Sequence, residues 1–440
     1  MVKGFESIKE NNFGIDKNII RVIPNWRIFF DEHRDILFTR CGIYAHGGTI
    51  DSYPDVNGEL EPLFHSVSIE STDGQSASQI ARRFGDERIV ASTLGEQYKW
   101  SHDQQDIVPW VNIVVKEVAR CSGFDSGQEE EPHFAAGTKF NYELLRIIDL
   151  LGKSKGTDSQ IDQGNLDAIV LLQFLLKNNK QIAYFGSPEP GIKPNSLAIP
   201  NITGGLYALL ESELPPNVYI ITSKRLEDKT IITEILPGLG SVKLHSDGFF
   251  YSPNSEPLLT IINGVVYKHE LLDKLKQRIQ YAHLVPDLSE IYLQNDESVD
   301  RLQKALELVS LETVKNPARQ LEEHYKDGMR AFVIKARGSG NGPLKWRKAI
   351  EDILAKGDTT VMIITLADSG DVDLKKYKAG LYVEGVLSGR TLREDAACIL
   401  AGIIHDLKKH NQLNVDPQKM IELFCYLSGM IDLSSPTPTP

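Results

Sequence analysis

Asp35-Ile-Leu-Phe-Thr-Arg-Cys-Gly-Ile-Tyr-Ala-His-Gly-Gly-Thr-Ile50 is the stretch on which the reading of the fold turns. Its apolar, β-branched run reads as a buried strand, Ile36–Tyr44, that stops at two glycines followed at once by a hydroxyl residue. Gly47 and Gly48 allow a sharp turn and leave backbone N–H groups accessible at the strand end. In an open α/β sheet that end is where ligands bind. Thr49 is therefore placed like a nucleophile, with amides nearby that could stabilise an oxyanion. The same residues also describe a tight strand-to-helix turn whose threonine merely caps a helix.

Working outward, strands and helices alternate at α/β spacing. Gln181–Phe185, Val218–Thr222, Ala331–Lys335 and Thr360–Thr365 read as strands. Leu166–Leu176, Val299–Leu308, Lys345–Ala355 and Arg393–Lys408 read as helices, and Ile291–Leu293 as a weak strand. The pattern predicts an α/β protein with mostly parallel sheets covered on both faces. A length of 440 residues exceeds one ordinary domain. The predicted organisation is an extension over 1–34, a larger domain over 35–267, a charged helical linker over 268–284, a smaller domain over 285–432 and a low-complexity tail over 433–440. Trp26, Phe29 and Phe30 are candidates to pack the extension onto the body, and the acidic stretch Gly123–Pro132 reads as an exposed insertion.

Composition narrows the function classes. With 41% hydrophobic and 25% charged residues the chain has the make-up of a soluble globular protein. A net charge of −12 argues against nonspecific binding to nucleic acid or an anionic membrane, because no basic excess exists to replace counterions. The four cysteines, Cys41, Cys121, Cys398 and Cys425, form no CxxC pair, so zinc ligation is not expected and no metal site is predicted. The amino terminus lacks a signal-peptide core and no run is long enough to span a bilayer, which makes the cytoplasm the expected compartment.

Three further segments bear on Thr49. Ser101-His102-Asp103 precedes a helix containing Trp110 and could hold the polar end of a small ligand, or simply cap that helix. Gly156-Thr157-Asp158-Ser159 could place a second reactive hydroxyl beside a charge that binds an ammonium group, or form a polar turn. Gly338-Ser-Gly-Asn-Gly-Pro343 follows a strand and matches neither GxxxxGK[ST] nor GxGxxG, so a nucleotide site is poorly supported. What remains there is a sharp loop able to carry Asn341 towards a neighbouring surface.

In this order the segments resemble the bacterial-type L-asparaginase/glutaminase family, the threonine amidohydrolases, over roughly residues 36–430. Gly47–Ile50 matches the family's first signature, Gly-Gly-Thr-Ile, and Gly156–Ser159 its second, Gly-Thr-Asp-Thr, with serine in the last place. Val242-Lys243, Phe250-Tyr-Ser-Pro-Asn254 and Pro257-Leu258 are similar to the segment that carries the catalytic lysine. Gly338–Pro343 resembles a Gly-x-Gly-Asn-x-Pro loop. Val372-Asp373-Leu374, Tyr377 and Gly385-Val-Leu-Ser-Gly389 resemble the stretch before the last long helix.

The resemblance implies a two-domain asparaginase-like architecture and hydrolysis of the side-chain amide of L-asparagine or a related small carboxamide. It implies Thr49 as nucleophile, Tyr53 as its proton relay, and Thr157, Asp158 and Lys243 as a second catalytic group. Asp158 would face the substrate's α-ammonium and Ser101 and Asp103 its α-carboxylate, with the amides of Gly48 and Thr157 as oxyanion donors. No metal or organic cofactor is implied. Homodimers or homotetramers are, with Asn341 reaching a neighbouring subunit's site. Several positions depart from the pattern. Leu197-Ala198 stands in place of Ser-Asp, Glu189-Pro190 in place of Arg-Pro, and Lys155 where a histidine is usual. Lys243 lies farther from the strand Val218–Thr222 than the family's lysine does, with Lys224 and Lys229 in between. These departures leave open a catalytically impaired, asparaginase-like binding protein.

Overall fold

The computed structural model describes residues 197–210, 214–243, 250–292, 296–313 and 317–432 apart from Ala379, with short segments at 19–24, 28–29, 32, 52–54, 60–62 and 182–185. In the first half the elements are β1 (Ile19–Val22), β2 (Ser52–Pro54), β3 (Leu60–Pro62), β4 (Ile182–Phe185), α1 (Ala198–Leu210), β5 (Val218–Arg225) and β6 (Ile231–Pro237). Next come β7 (Val242–Lys243), β8 (Phe250–Tyr251), β9 (Leu259–Ile262), β10 (Val265–Lys268) and α2 (Glu270–Arg278). The remainder holds α3 (Asp296–Glu307), β11 (Val309–Thr313), α4 (Pro317–Lys326), β12 (Ala331–Ala336), α5 (Leu344–Leu354), β13 (Thr360–Thr365), β14 (Leu387–Ser388), α6 (Glu394–Lys409) and α7 (Pro417–Leu427).

The expectation of mostly parallel sheets needs correction in the first half. The six-stranded sheet runs β1-β10-β9-β6-β5-β4, and of its pairings only β4–β5 is parallel. For two of the four antiparallel pairings, β9–β10 and β5–β6, the cause is connection length. Asn263 and Gly264 alone join β9 to β10, with φ of 50° and 79°, the two-residue turn whose twist matches a hairpin. The loop between β5 and β6 is nearly as short, closed by the Leu226 N–H to the Thr230 carbonyl at 2.9 Å, with Lys229 at φ 68°. Connections of this size permit only antiparallel neighbours.

Gly264 also seats the N-terminal strand. The Ile23 N–H donates to its carbonyl at 2.6 Å, and a Cβ at Gly264 would stand 2.1 Å from the Ile23 carbonyl oxygen. Ile23 and Phe29 are buried, and Phe29 packs on Tyr207 of α1 with ring centroids 5.4 Å apart. Gly264→Ala is expected to cost about 2 kcal/mol through its left-handed φ alone and to loosen β1 as well. Thermal unfolding and proteolysis near residue 19 check this; an unchanged midpoint would refute it.

The second sheet, β11-β12-β13-β14, is parallel throughout. Its strands alternate between two apolar clusters, as pleating requires. Ala331 and Val333 enter one with Met362, Ile364 and the α6 residues Leu400, Ile403 and Ile404. Phe332 and Ile334 enter the other with Leu321 of α4 and Trp346 and Ile350 of α5. Burial on both faces explains why β12 and β13 read as unbroken apolar runs. The first of these clusters also contains Val218, Ile220, Leu236 and Leu239 of the six-stranded sheet.

Segment 268–284 is the end of β10, then α2, then a 3-10 turn over Ile279–Leu284. Its Arg278 is buried and donates to the carbonyls of Tyr426 and Ile431, each at 3.0 Å, and to the Asp432 carboxylate. Ile291, read as part of a strand, lies in the short helix Ser289–Tyr292. Tyr292 there is buried against the first cluster, and its hydroxyl donates to the buried Asp406 at 2.6 Å. Burial and the Asp406 carboxylate drive the Tyr292 phenol pKa upward.

His405, on α6, is buried, and burial holds its pKa below the ordinary 6.5, helped by Lys409 and opposed by Asp406 and Asp358. The unfolded imidazole therefore binds a proton at higher pH than the folded one. The stability it contributes is complete above about 6.5 and falls as the pH drops from there towards the depressed folded value. Between pH 7 and 5, His405→Gln should lose less stability than the native chain in denaturant melts; parallel curves would contradict this assignment.

Candidate functional site

Lys243 forms β7 with Val242 and lies opposite Phe250 of β8. A two-residue ladder has little stability of its own, so its place depends on what flanks it. Ahead of it, the Gly238 N–H donates to the Val218 carbonyl at 2.9 Å and the Ser241 hydroxyl to the Pro237 carbonyl at 2.7 Å. Gly240 has φ 77°, and a Cβ there would lie 2.4 Å from Met430 Sδ. On the far side, the Phe250 N–H donates to Thr222 Oγ1 of β5 at 3.0 Å.

Thr222 stands opposite Glu234 on β6, and Glu234 opposite Thr260 on β9. Residues so paired share a face, which gives this end of the sheet a polar row. Lys224 Nζ binds Glu234 Oε1 at 2.8 Å, each side chain 16% exposed. Thr260 Oγ1 lies 2.8 Å from His269 Nε2. Burial lowers the His269 pKa, against the raising effect of Glu256 and Glu234. Glu256 accepts the Leu271 N–H at 2.9 Å, supplying the first turn of α2 with a cap that His269 does not give.

The segment after β8 reaches the loops of the parallel sheet. Asn254 Oδ1 accepts the N–H of Gly370 at 2.9 Å, in the loop that follows β13. At the same sheet end Lys335 of β12 pairs with Glu394 at the start of α6, and Arg393 Nη1 donates to the Asp368 carbonyl at 3.1 Å. The chain order of the parallel strands makes this their carboxyl end, where open α/β sheets bind ligands.

The loop Gly338–Pro343 leaves β12 at that end as well. The backbones of Arg337 and Asn341 bond to each other, with N–O distances of 3.1 and 2.8 Å. Gly338 and Gly340 have φ of 51° and 96°, and a Cβ on Gly340 would meet Leu374 at 2.6 Å. Asn341 also bridges Gly380, and the Leu381 N–H donates to the Gly340 carbonyl at 3.0 Å. The loop is therefore fixed rather than extended into solvent. Asn341 Oδ1 is buried without a hydrogen-bond partner among the described residues.

Tyr53 lies in β2, opposite Glu61 of β3. Thr49, Gly48, Ser101, Asp103, Thr157 and Asp158 lie outside the described residues, as does the region 123–140. Of the predicted site residues, Lys243, Tyr53 and Asn341 are thus placed, the first two by backbone only. The polar row Thr222, Lys224, Glu234, Thr260 and His269 was missed as a unit. Its signal, alternating polar residues within two adjacent β-branched runs, becomes visible only once the hairpin register is known. Among the described residues no group of His, Cys, Asp and Glu is arranged to hold a metal ion, and no helix is long and apolar enough to cross a membrane. Cys425 is buried, and burial raises its thiol pKa to about 11, so it packs as an inert core residue.

The described fold and loops define a mixed α/β protein in which a largely antiparallel sheet accompanies a fully parallel one. Neither a protein-family model nor a curated protein matches the chain. Among solved structures, a probable cytoplasmic L-asparaginase from Campylobacter jejuni is similar over 64% of this chain and 80% of its own, at 18% identity and a TM-score of 0.42. A thermostable L-asparaginase from Thermococcus kodakarensis is similar over 88% of this chain and 98% of its own, at 15% identity and a TM-score of 0.48.

Proposed function

We propose that the chain is an amidohydrolase resembling L-asparaginase, converting the side-chain amide of L-asparagine or a related small carboxamide into the acid and ammonia. The observation that carries this reading is the order of its motifs: Gly47–Ile50, then Gly156–Ser159, then Val242-Lys243 with Phe250–Asn254, then Gly338–Pro343. Each alone describes a common turn, whereas the sequence of all four is that of one enzyme family.

In the proposed reaction the Thr49 hydroxyl attacks the amide carbon and its proton passes to Tyr53. A threonine hydroxyl needs such a relay to react near neutral pH. Backbone N–H groups of Gly48 and Thr157 receive the charge that forms on the carbonyl oxygen. The C–N bond breaks, the amide nitrogen takes up the proton and leaves as ammonia, and water then hydrolyses the threonyl ester. Thr157, Asp158 and Lys243 form the second proton-handling group. Asp158 takes the substrate's ammonium, and Ser101 and Asp103 its carboxylate end. Subunits associate as a homodimer or homotetramer with Asn341 at the junction, and the cytoplasm is the proposed compartment.

An ammonia-release assay across asparagine, glutamine and peptide-linked carboxamides tests the proposal. Release from at least one amide is expected; none from any would overturn it. Leu197-Ala198, where the family carries Ser-Asp, favours a second reading. Ala198 opens α1, so the change falls at a helix start rather than in a variable loop. If calorimetry found binding of an amide without turnover at any pH, the chain would be a binding protein built on the same plan.

A further inference from the structure

We infer that Thr222 is a positioning residue for Lys243, acting through β8; the consequence for catalysis rests on the amidohydrolase reading. Thr222 is 4% exposed, and its Oγ1 accepts the Phe250 N–H across 28 residues of sequence. Phe250 is the residue opposite Lys243. The backbone that carries the lysine is thus secured from two sides. One anchor is the turn over Gly238–Ser241, made of backbone bonds and the Met430 contact. The other is the side chain of Thr222.

The hydroxyl suits this task and its neighbours do not. Glu234, directly opposite, is engaged by Lys224, and Thr260, one strand farther, by His269. Ser223, the next residue on β5, pairs with Thr233 at 2.8 Å. Successive strand residues point to opposite faces, so Ser223 is turned away from β8. Without the Thr222 acceptor the Phe250 N–H would lose its hydrogen bond in a half-buried position, a cost that favours lifting β8 from the sheet. Since β7 pairs with β8, the Lys243 backbone would move with it. Displacements on the order of 1 Å in a catalytic array cost up to about 100-fold in rate.

The test compares Thr222→Val, which removes the acceptor at nearly constant volume, with Thr222→Ser, which keeps it. Hydrogen exchange at the Phe250 amide should speed up in Thr222→Val and return towards the native rate in Thr222→Ser. In the ammonia assay Thr222→Val should lower kcat by about 10- to 100-fold with little change in KM, and Thr222→Ser should restore most of the rate. In a Lys243→Met background, Thr222→Val should cost nothing further, because both changes act on one group. Unaltered exchange at Phe250, native kcat in Thr222→Val, or losses that multiply in the double variant would each overturn the inference. Full activity in Lys243→Met would overturn the role of the lysine and with it the positioning role. If the native chain releases no ammonia, the proposed reaction falls, while exchange at Phe250 still decides whether Thr222 anchors β8.

Discussion

Replacing Thr49 by alanine is expected to abolish ammonia release, with kcat reduced on the order of 10⁴-fold or more, as when the nucleophile is removed from an acyl-transfer enzyme. The reason is chemical. In the proposed mechanism alanine offers no oxygen to form the acyl-enzyme, and oxyanion donors and binding contacts by themselves give only residual acceleration. Substrate binding should survive in the proposed mechanism, where Thr49 acts on the amide carbon and other residues hold the substrate, so isothermal calorimetry on the variant should still detect the amide. A variant that turns over at the native rate would remove Thr49 from the mechanism. Loss of binding together with turnover would point to a misfolded N-terminal region instead, and circular dichroism would separate the two outcomes.

Asp406→Ala should produce the largest loss of stability, about 3 kcal/mol or more, the scale seen when one partner of a buried ion pair is removed. The Asp406 side chain is 8% exposed and accepts from Tyr292 Oη at 2.6 Å and from Arg301 Nη2 at 2.6 Å. His410 Nδ1 lies 3.2 Å from its Oδ1. One carboxylate thus joins the turn before α3, α3 itself and the end of α6. Alanine would leave a half-buried guanidinium without its counter-charge and a buried phenol without an acceptor. Denaturant unfolding of the variant measures the loss. A change below about 1 kcal/mol, the upper end for exposed pairs, would mean that water and the bond Arg301 already makes to Gln412 Oε1, at 2.7 Å, hold the guanidinium at little cost.

The second half of the chain was legible where local pattern and tertiary demand agree. Thr360–Thr365 was read to the residue, since a six-residue β-branched run buried on both faces has no other use. The helix over Glu394–Lys409 and the loop at Gly338 were found for similar reasons: a long amphipathic period and a glycine cluster after a strand. The first half misled in two ways. Asn263-Gly264 between Leu-Thr-Ile-Ile and Val-Val-Tyr is a strong hairpin signal that α/β spacing alone obscures. The helix Ala198–Leu210, with Pro200, Gly204 and Gly205, has poor intrinsic propensity. It forms because Gly204 lets the helix approach the sheet: a Cβ there would stand 2.7 Å from Thr233 Cγ2. No pattern within thirteen residues reports that contact. The candidate site could be read from the sequence only as residue types in order, and most of it lies outside the described residues. The hydroxyl beneath Phe250 was not, because its partner lies 28 residues away.

The contact of Gly240 with Met430, and the bond from Arg278 to the Tyr426 carbonyl 148 residues later, also bear on biosynthesis. While the ribosome is still making α6, the turn that leads into Lys243 lacks the Met430 side chain that packs on Gly240. Contacts of such sequence separation form late and slowly. The six-stranded sheet can pair its hairpins as they emerge, yet the turn before β7 waits for Met430, just past α7. A chain cut before Met430 would keep most of its apolar core and lack the packing under that turn. Full packing of that turn is therefore expected only after residue 430 has been made.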